Sequence, residues 1–164
     1  MRRKPLILAT AFFLSLVLMA PQANAGRAAA KAAYKRGVKL ANNSDLEGAV
    51  TAFAKAVRED RKYGQAWRDL GMALRMKGRH IEALAAYHRA TVLNRKSHKA
   101  YLGLGRCYLA LRLPNHAVRA FEKAEKLAKR KPKSLVEIQK FLAKASSESG
   151  DYERAVKILK KISL

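Results

Sequence analysis

Gly37, Gly71 and Gly105 stand 34 residues apart, and Ala49/Ala83/Ala117, Phe53/Tyr87/Phe121 and Ala56/Ala90/Ala124 keep the same spacing. At ordinary glycine usage of about 7%, and in an alanine-rich chain, one further unit would match all four positions by chance on the order of 10⁻⁴ of the time. Two further units match. The chain is therefore a series of near-identical units, and such a series builds a surface for holding something without implying a reaction.

Within each period a small residue recurs in one helical segment, and an Ala-x3-aromatic-x2-Ala series lies on one face of the next. Two helices per unit follow. Gly and Ala suit positions where helix backbones approach closely, while the aromatic fills the gap toward the next unit. A single unit leaves an apolar face bare, and stacking covers it.

Trp67-x2-Leu70-Gly71-x2-Leu74 with Ala83-x3-Tyr87, and Tyr101-x2-Leu104-Gly105-x2-Tyr108 with Ala117-x3-Phe121, resemble tetratricopeptide repeats. The expected fold is an all-α solenoid of helical hairpins. Its units span about 30–63, 64–97 and 98–131, followed by a degenerate, capping unit at about 136–164. Unit one departs from the pattern, with Ala33 and Arg36 at the large-residue positions, and Arg61, Arg95 and Lys129 replace the closing proline. After unit three the register slips by four residues at Lys131-Pro132-Lys133. The last unit is expected to present a polar outer face, because an uncapped end would expose apolar surface. Expected helices cover 29–42, 46–60, 64–76, 80–93, 98–111, 114–129, 134–148 and 152–162. Ser44-x2-Glu47 and Ser134-x2-Glu137 read as capping boxes, Gly78 and Gly150 as left-handed residues after a helix, and Pro114 as a first-turn proline.

Residues 1–25 read as an export signal rather than as part of the fold. Arg2-Arg3-Lys4 is a charged head, Leu6 to Met19 an apolar body and Ala23-Asn24-Ala25 a small-residue cleavage site. About 16 apolar residues make roughly 24 Å of helix, short of a ~30 Å hydrocarbon core, which favours a cleaved leader over an anchor. No cysteine near the cut invites lipid attachment, and Lys4-Pro5 after the paired arginines favours the general export route. The expected destination is periplasmic or secreted, in a bacterial envelope. Cys107 is the sole cysteine, so the chain forms no internal disulfide, and it reads as a small buried apolar residue.

Of 35 basic residues three lie in the leader, and none of the 12 acidic ones do, which leaves residues 26–164 at about +20. Such charge speeds encounter with anionic partners. It also describes a merely solvated basic skin. Nothing points to catalysis, a cofactor or a metal. His80 and His88 are about two turns, ~12 Å, apart, and His98 and His116 have no Cys or carboxylate at ligand spacing. Asp45, Glu47, Asp151 and Glu153 fall at helix starts, where carboxylates complement the dipole.

The resemblance implies that the first helix of each unit lines a concave surface through its second, fifth, ninth, twelfth and thirteenth positions. These hold Lys31, Tyr34, Val38 and Asn42, then Gln65, Arg68, Met72, Arg75 and Met76, then Lys99, Leu102, Arg106, Leu109 and Ala110, with Lys140 and Lys144 continuing the line. Tyr34, Arg68, Met72, Arg75, Lys99, Leu102 and Arg106 form the expected partner site: arginines to fork onto carboxylates, methionines and Leu102 to take an aliphatic side chain. The same apolar residues could instead belong to the core of the stack. The expected partner is an acidic protein or peptide. Of the places that grip a chaperone tail's terminal carboxylate in some relatives, here Tyr34, Val38, Asp69, Lys99 and Gly103, only Lys99 matches, so that function is not carried over. Lys126, Lys129, Arg130 and Lys131, with Lys123 and Lys133, form a second basic cluster suited to an anionic lipid surface or envelope polymer. Nucleic acid fits the charge but not the expected compartment. Self-association through the incomplete last unit is the remaining reading.

Overall fold

The computed structural model describes residues 7–163, with side chains from residue 25 onward; the expected charged head Arg2-Arg3-Lys4 lies outside the described residues. These residues are all-helical. The order is α1 (Ile7–Asn42), α2 (Leu46–Glu59), α3 (Gly64–Met76), α4 (His80–Leu93), α5 (His98–Ala110), α6 (Pro114–Ala128), α7 (Pro132–Glu148) and α8 (Tyr152–Ile162). Each helix packs on its neighbours in sequence, and α3 also meets α5 as α5 meets α7. The odd-numbered helices thus form one layer and the even-numbered helices the other.

The 34-residue period works through one contact repeated between the layers. Gly37 faces the ring of Phe53, Gly71 that of Tyr87 and Gly105 that of Phe121, and a Cβ on Gly71 would lie 3.0 Å from the Tyr87 ring. Tyr87 also abuts Gly103 of the following unit, so one aromatic joins its own hairpin to the next. The alanines close the remaining space: Ala49, Ala83 and Ala117 are fully buried, as are Ala56 and Ala124. One core runs from Ala33 to Ala120, and a second gathers Phe121, Ala128, Ile138 and Leu142.

Turn chemistry follows the period as well. The second residue after each first helix is left-handed in every hairpin: Ser44 at φ 62°, Gly78 at 76°, Arg112 at 58° and Gly150 at 90°. For glycine this is free of strain, while a side chain there disfavours the conformation by about 1 kcal/mol. Ser44 is therefore not the cap expected of it. Asp45 caps α2 instead, its carboxylate accepting from Gly48 N at 2.9 Å. Asp151 serves α8 in the same way and Ser97 caps α5. Pro114 opens α6 as expected.

Three further expectations need correction. The first helix does not begin at residue 29 but runs unbroken from Ile7, although burial starts only at Ala30 among residues with described side chains. Ser134 is no cap, because α7 already starts at Pro132, a residue suited to a first turn. The four-residue slip is therefore one added helical turn, which keeps the packing face in phase. Finally, the outer face of the last unit is not simply polar. Tyr152, Val156 and Leu159, spaced to fall on one stripe of α8, are 67%, 50% and 50% exposed, beside Lys157, Lys160 and Lys161.

Candidate ligand groove

Two clefts open along the odd-numbered helices, and they divide the expected site between them. The first holds about 270 Å³ and is lined by Tyr34, Val38, Arg68, Asp69, Met72 and Lys99. The second holds about 340 Å³ and is lined by Arg75, His80, Arg106, Arg112, Phe141 and Lys144. Arg68 and Arg75 are seven residues apart on α3, as Lys99 and Arg106 are on α5, so the clefts succeed one another roughly 10 Å apart along both helices.

Asp69 dominates the first cleft, although its sequence position marks it only as a mismatch at a clamp position. It is only 6% exposed. Arg68 donates to it twice, from Nε at 2.7 Å and Nη2 at 2.9 Å, and the Tyr34 hydroxyl donates at 2.8 Å. Gln65 in turn donates to the Tyr34 oxygen at 2.6 Å. Burial first, and then the Asp69 carboxylate, push the Tyr34 hydroxyl up to about 12. Arg68 is held charged by the same hydrogen bonds, which outweigh its own burial. The consequence is a correction: Arg68 is committed to an internal acid and is not a free fork for a ligand. Tyr34 is packed against Phe53 and Tyr63, with ring centroids 5.6 and 5.1 Å away. Met72, 42% exposed, does reach the cleft and lies outside the core, and Lys99 is exposed at the rim. Leu102 does not face it in the same way. At 9% exposure it packs with Phe121, Ile138 and Leu142, since α7 lies over it, so its place is the core.

The second cleft differs in its charge balance. Arg106 lies over the Phe141 ring, 4.7 Å from its centroid, and reaches Glu137 at 3.5 Å, outside ideal hydrogen-bond range. Its guanidinium is destabilised first by desolvation and next by the neighbouring charge of Arg75. Arg75 Nε and His80 Nδ1 are buried without a hydrogen-bond partner. Phe141 stacks on Phe121 at 5.7 Å, which ties the wall of this cleft to the core.

The remaining candidates lie elsewhere. Lys126, Lys129, Arg130 and Lys131 are exposed at the α6–α7 junction, and none takes part in an ion pair found among the described residues. Cys107 is fully buried, and burial pushes its thiol up to about 11, away from reactivity. His116 rests on Tyr108, with ring centroids 5.3 Å apart, and His98 is buried.

The tetratricopeptide repeat model matches residues 98–131, the unit of α5 and α6. An uncharacterised protein of Methanocaldococcus jannaschii is 36% identical over 69 residues, which cover 42% of this chain and 80% of that protein. The unit of α5 and α6 is a tetratricopeptide repeat, and the whole all-helical stack has the fold that such repeats build. Among solved structures, MamA superposes with a TM-score of 0.76 at 24% identity, over 92% of this chain and 82% of that one. The TPR2B domain of yeast Sti1, in its pHsp70 complex, gives 0.69 at 21% identity over 73% and 97%. The first such domain of Spaghetti (RPAP3), bound to the HSP90 peptide SRMEEVD, gives 0.65 at 20% over 70% and 91%. At these identities the likeness describes the solenoid and not the ligand. Sequence reasoning missed Asp69, whose signal was an acid in mid-helix directly beside Arg68. It also missed Arg112, which stands where units two and four carry glycine.

Proposed function

We propose that this protein is an exported adaptor that captures an acidic protein or peptide segment along the groove formed by α1, α3, α5 and α7. The observation that carries this reading is the second cleft, where Arg75 and Arg106 face each other with too few carboxylates to balance them. An anionic guest relieves that repulsion and gains charge-assisted hydrogen bonds. The family supports a binding role, and two of the similar structures hold peptides, one of them, SRMEEVD, itself acidic. Export rests on the leader, and packing that starts at Ala30 leaves a cut after Ala25 compatible with the stack. No described helix is long and apolar enough to cross a membrane.

Charge reversal tests the reading. Arg75→Glu with Arg106→Glu should abolish capture of a labelled acidic peptide, while Lys126→Glu, Lys129→Glu and Lys131→Glu together should leave it within about twofold. The opposite pattern, with loss of binding to anionic vesicles from the lysine variant, would establish the second reading, a binder of anionic surfaces, which the unpaired cluster at the α6–α7 junction favours. The bare stripe of Tyr152, Val156 and Leu159 favours self-stacking as a structural subunit, and sedimentation over a concentration range decides that. N-terminal sequencing of exported protein should start at Gly26.

A further inference from the structure

The two clefts are chemically unequal, and the inequality specifies the order of groups in a bound chain. The first is largely neutralised, since Asp69 has taken Arg68 and only Lys99 at the rim is left as a cation, and its apolar surface is Val38, Met72 and the ring of Tyr34. In the second, Arg75, Arg106, Arg112 and Lys144 are offset only by Glu137, at 3.5 Å from Arg106, and Glu148, at 3.8 Å from Lys144. Two positive charges therefore remain over, His80 aside. Three guanidiniums and an ammonium line this cleft, and Arg75 Nε is buried there without a hydrogen-bond partner.

Arg112 adds an independent observation. Its backbone is left-handed at φ 58°, in a place where the equivalent residues of the second and fourth hairpins are glycine. A bulky side chain in a disfavoured backbone conformation, aimed into a cleft, is the pattern of strain retained for a site. Ser44 shares the conformation but lines neither cleft.

Resting on the adaptor reading above, we infer that the groove recognises a bipartite acidic peptide: an aliphatic side chain seated beside Met72 and Val38, and a pair of neighbouring carboxylates seated between Arg75, Arg106 and Arg112. The clefts lie roughly 10 Å apart, which an extended chain spans in about three residues. A doublet of acids matches the two uncompensated charges. A single acid leaves one guanidinium unpaired, and a uniformly acidic tract sets a carboxylate against Val38, Met72 and Asp69 in the first cleft.

The test uses the full chain and fluorescein-labelled Gly/Ser peptides, followed by anisotropy. One peptide carries a leucine and, about three residues on, a Glu–Glu doublet; a second carries a single Glu; a third places the doublet directly beside the leucine. The first should bind about tenfold more tightly than either of the others. Arg75→Gln with Arg106→Gln should weaken it tenfold or more. Arg112→Gly is the decisive variant: it should weaken the first peptide several-fold while raising the melting temperature, a combination that a purely structural role for Arg112 does not produce. If the peptides bind but none of these variants and no change of spacing alters affinity, the bipartite site is refuted and the acidic-peptide reading stands. If wild-type protein binds no acidic peptide at all, both are refuted.

Discussion

The two clefts share α3 and α5 and are both lined by basic side chains, yet the second has more charge to offer. At the first, Arg68 donates both arms to Asp69, which is 6% exposed, and Tyr34 completes the acid's coordination. At the second, Arg75 and Arg106 repel each other and Glu137 stands off at 3.5 Å. The lesson is that a count of arginines along a groove measures little. What matters is whether an internal carboxylate has already taken them, because a satisfied pair is a structural joint and an unsatisfied pair is an invitation.

Removal of Asp69 breaks that contrast with the largest expected effect. Asp69→Ala leaves Arg68 and Tyr34 without their partner and should destabilise the fold by roughly 3 kcal/mol, read from the urea midpoint. Asp69→Asn should be milder and should let the first cleft take an acidic side chain, so the spacing preference of the peptide would fade. Next in size is Phe141→Ala, which strips the ring from beneath Arg106; it should cost about 2 kcal/mol in stability, because the ring is only part-buried, and should weaken acidic-peptide binding, leaving the first cleft untouched.

Ser44→Gly should then stabilise by about 1 kcal/mol in thermal unfolding with no change in binding, because glycine relieves the left-handed backbone at a position away from the clefts. A separate effect lies in alkali. Tyr34 and Tyr87 both ionise only near pH 12 in the fold against an ordinary 10, Tyr87 because of burial. Between those values the native state holds protons that the unfolded chain has released, so stability should fall as pH rises from about 10 to 12. Tyr87→Phe should flatten that fall in urea titrations at the two ends of the window.

Much of the solenoid was legible because its determinants are local and periodic. Gly71 and Ala83 recur at fixed offsets, and the ends of α3, α4 and α8 fall at the expected residues. The misses share a physical cause. Whether Leu102 or Met72 is buried depends on which helix lies above it, and α7, a turn longer than its counterparts, covers Leu102 with Ile138 and Leu142. Ser44 satisfied the pattern of a capping box, but Asp45 next to it accepts more strongly and the loop geometry gave it the amide of Gly48. Arg68 pairs with its immediate neighbour Asp69, but the hydroxyl that completes the acid's coordination comes from Tyr34, 35 positions away, which no local spacing encodes.

The extra turn of α7 has a wider meaning for how such a molecule can change. Adding four residues rotates the following side chains by only about 40° from their former bearing, whereas a single inserted residue would swing them by about 100° and aim Phe141 and Lys144 away from Arg106. Length in this architecture is therefore a quantised variable: the wall of the second cleft can be raised or lowered by whole turns without losing its bearing, and intermediate lengths are closed to it.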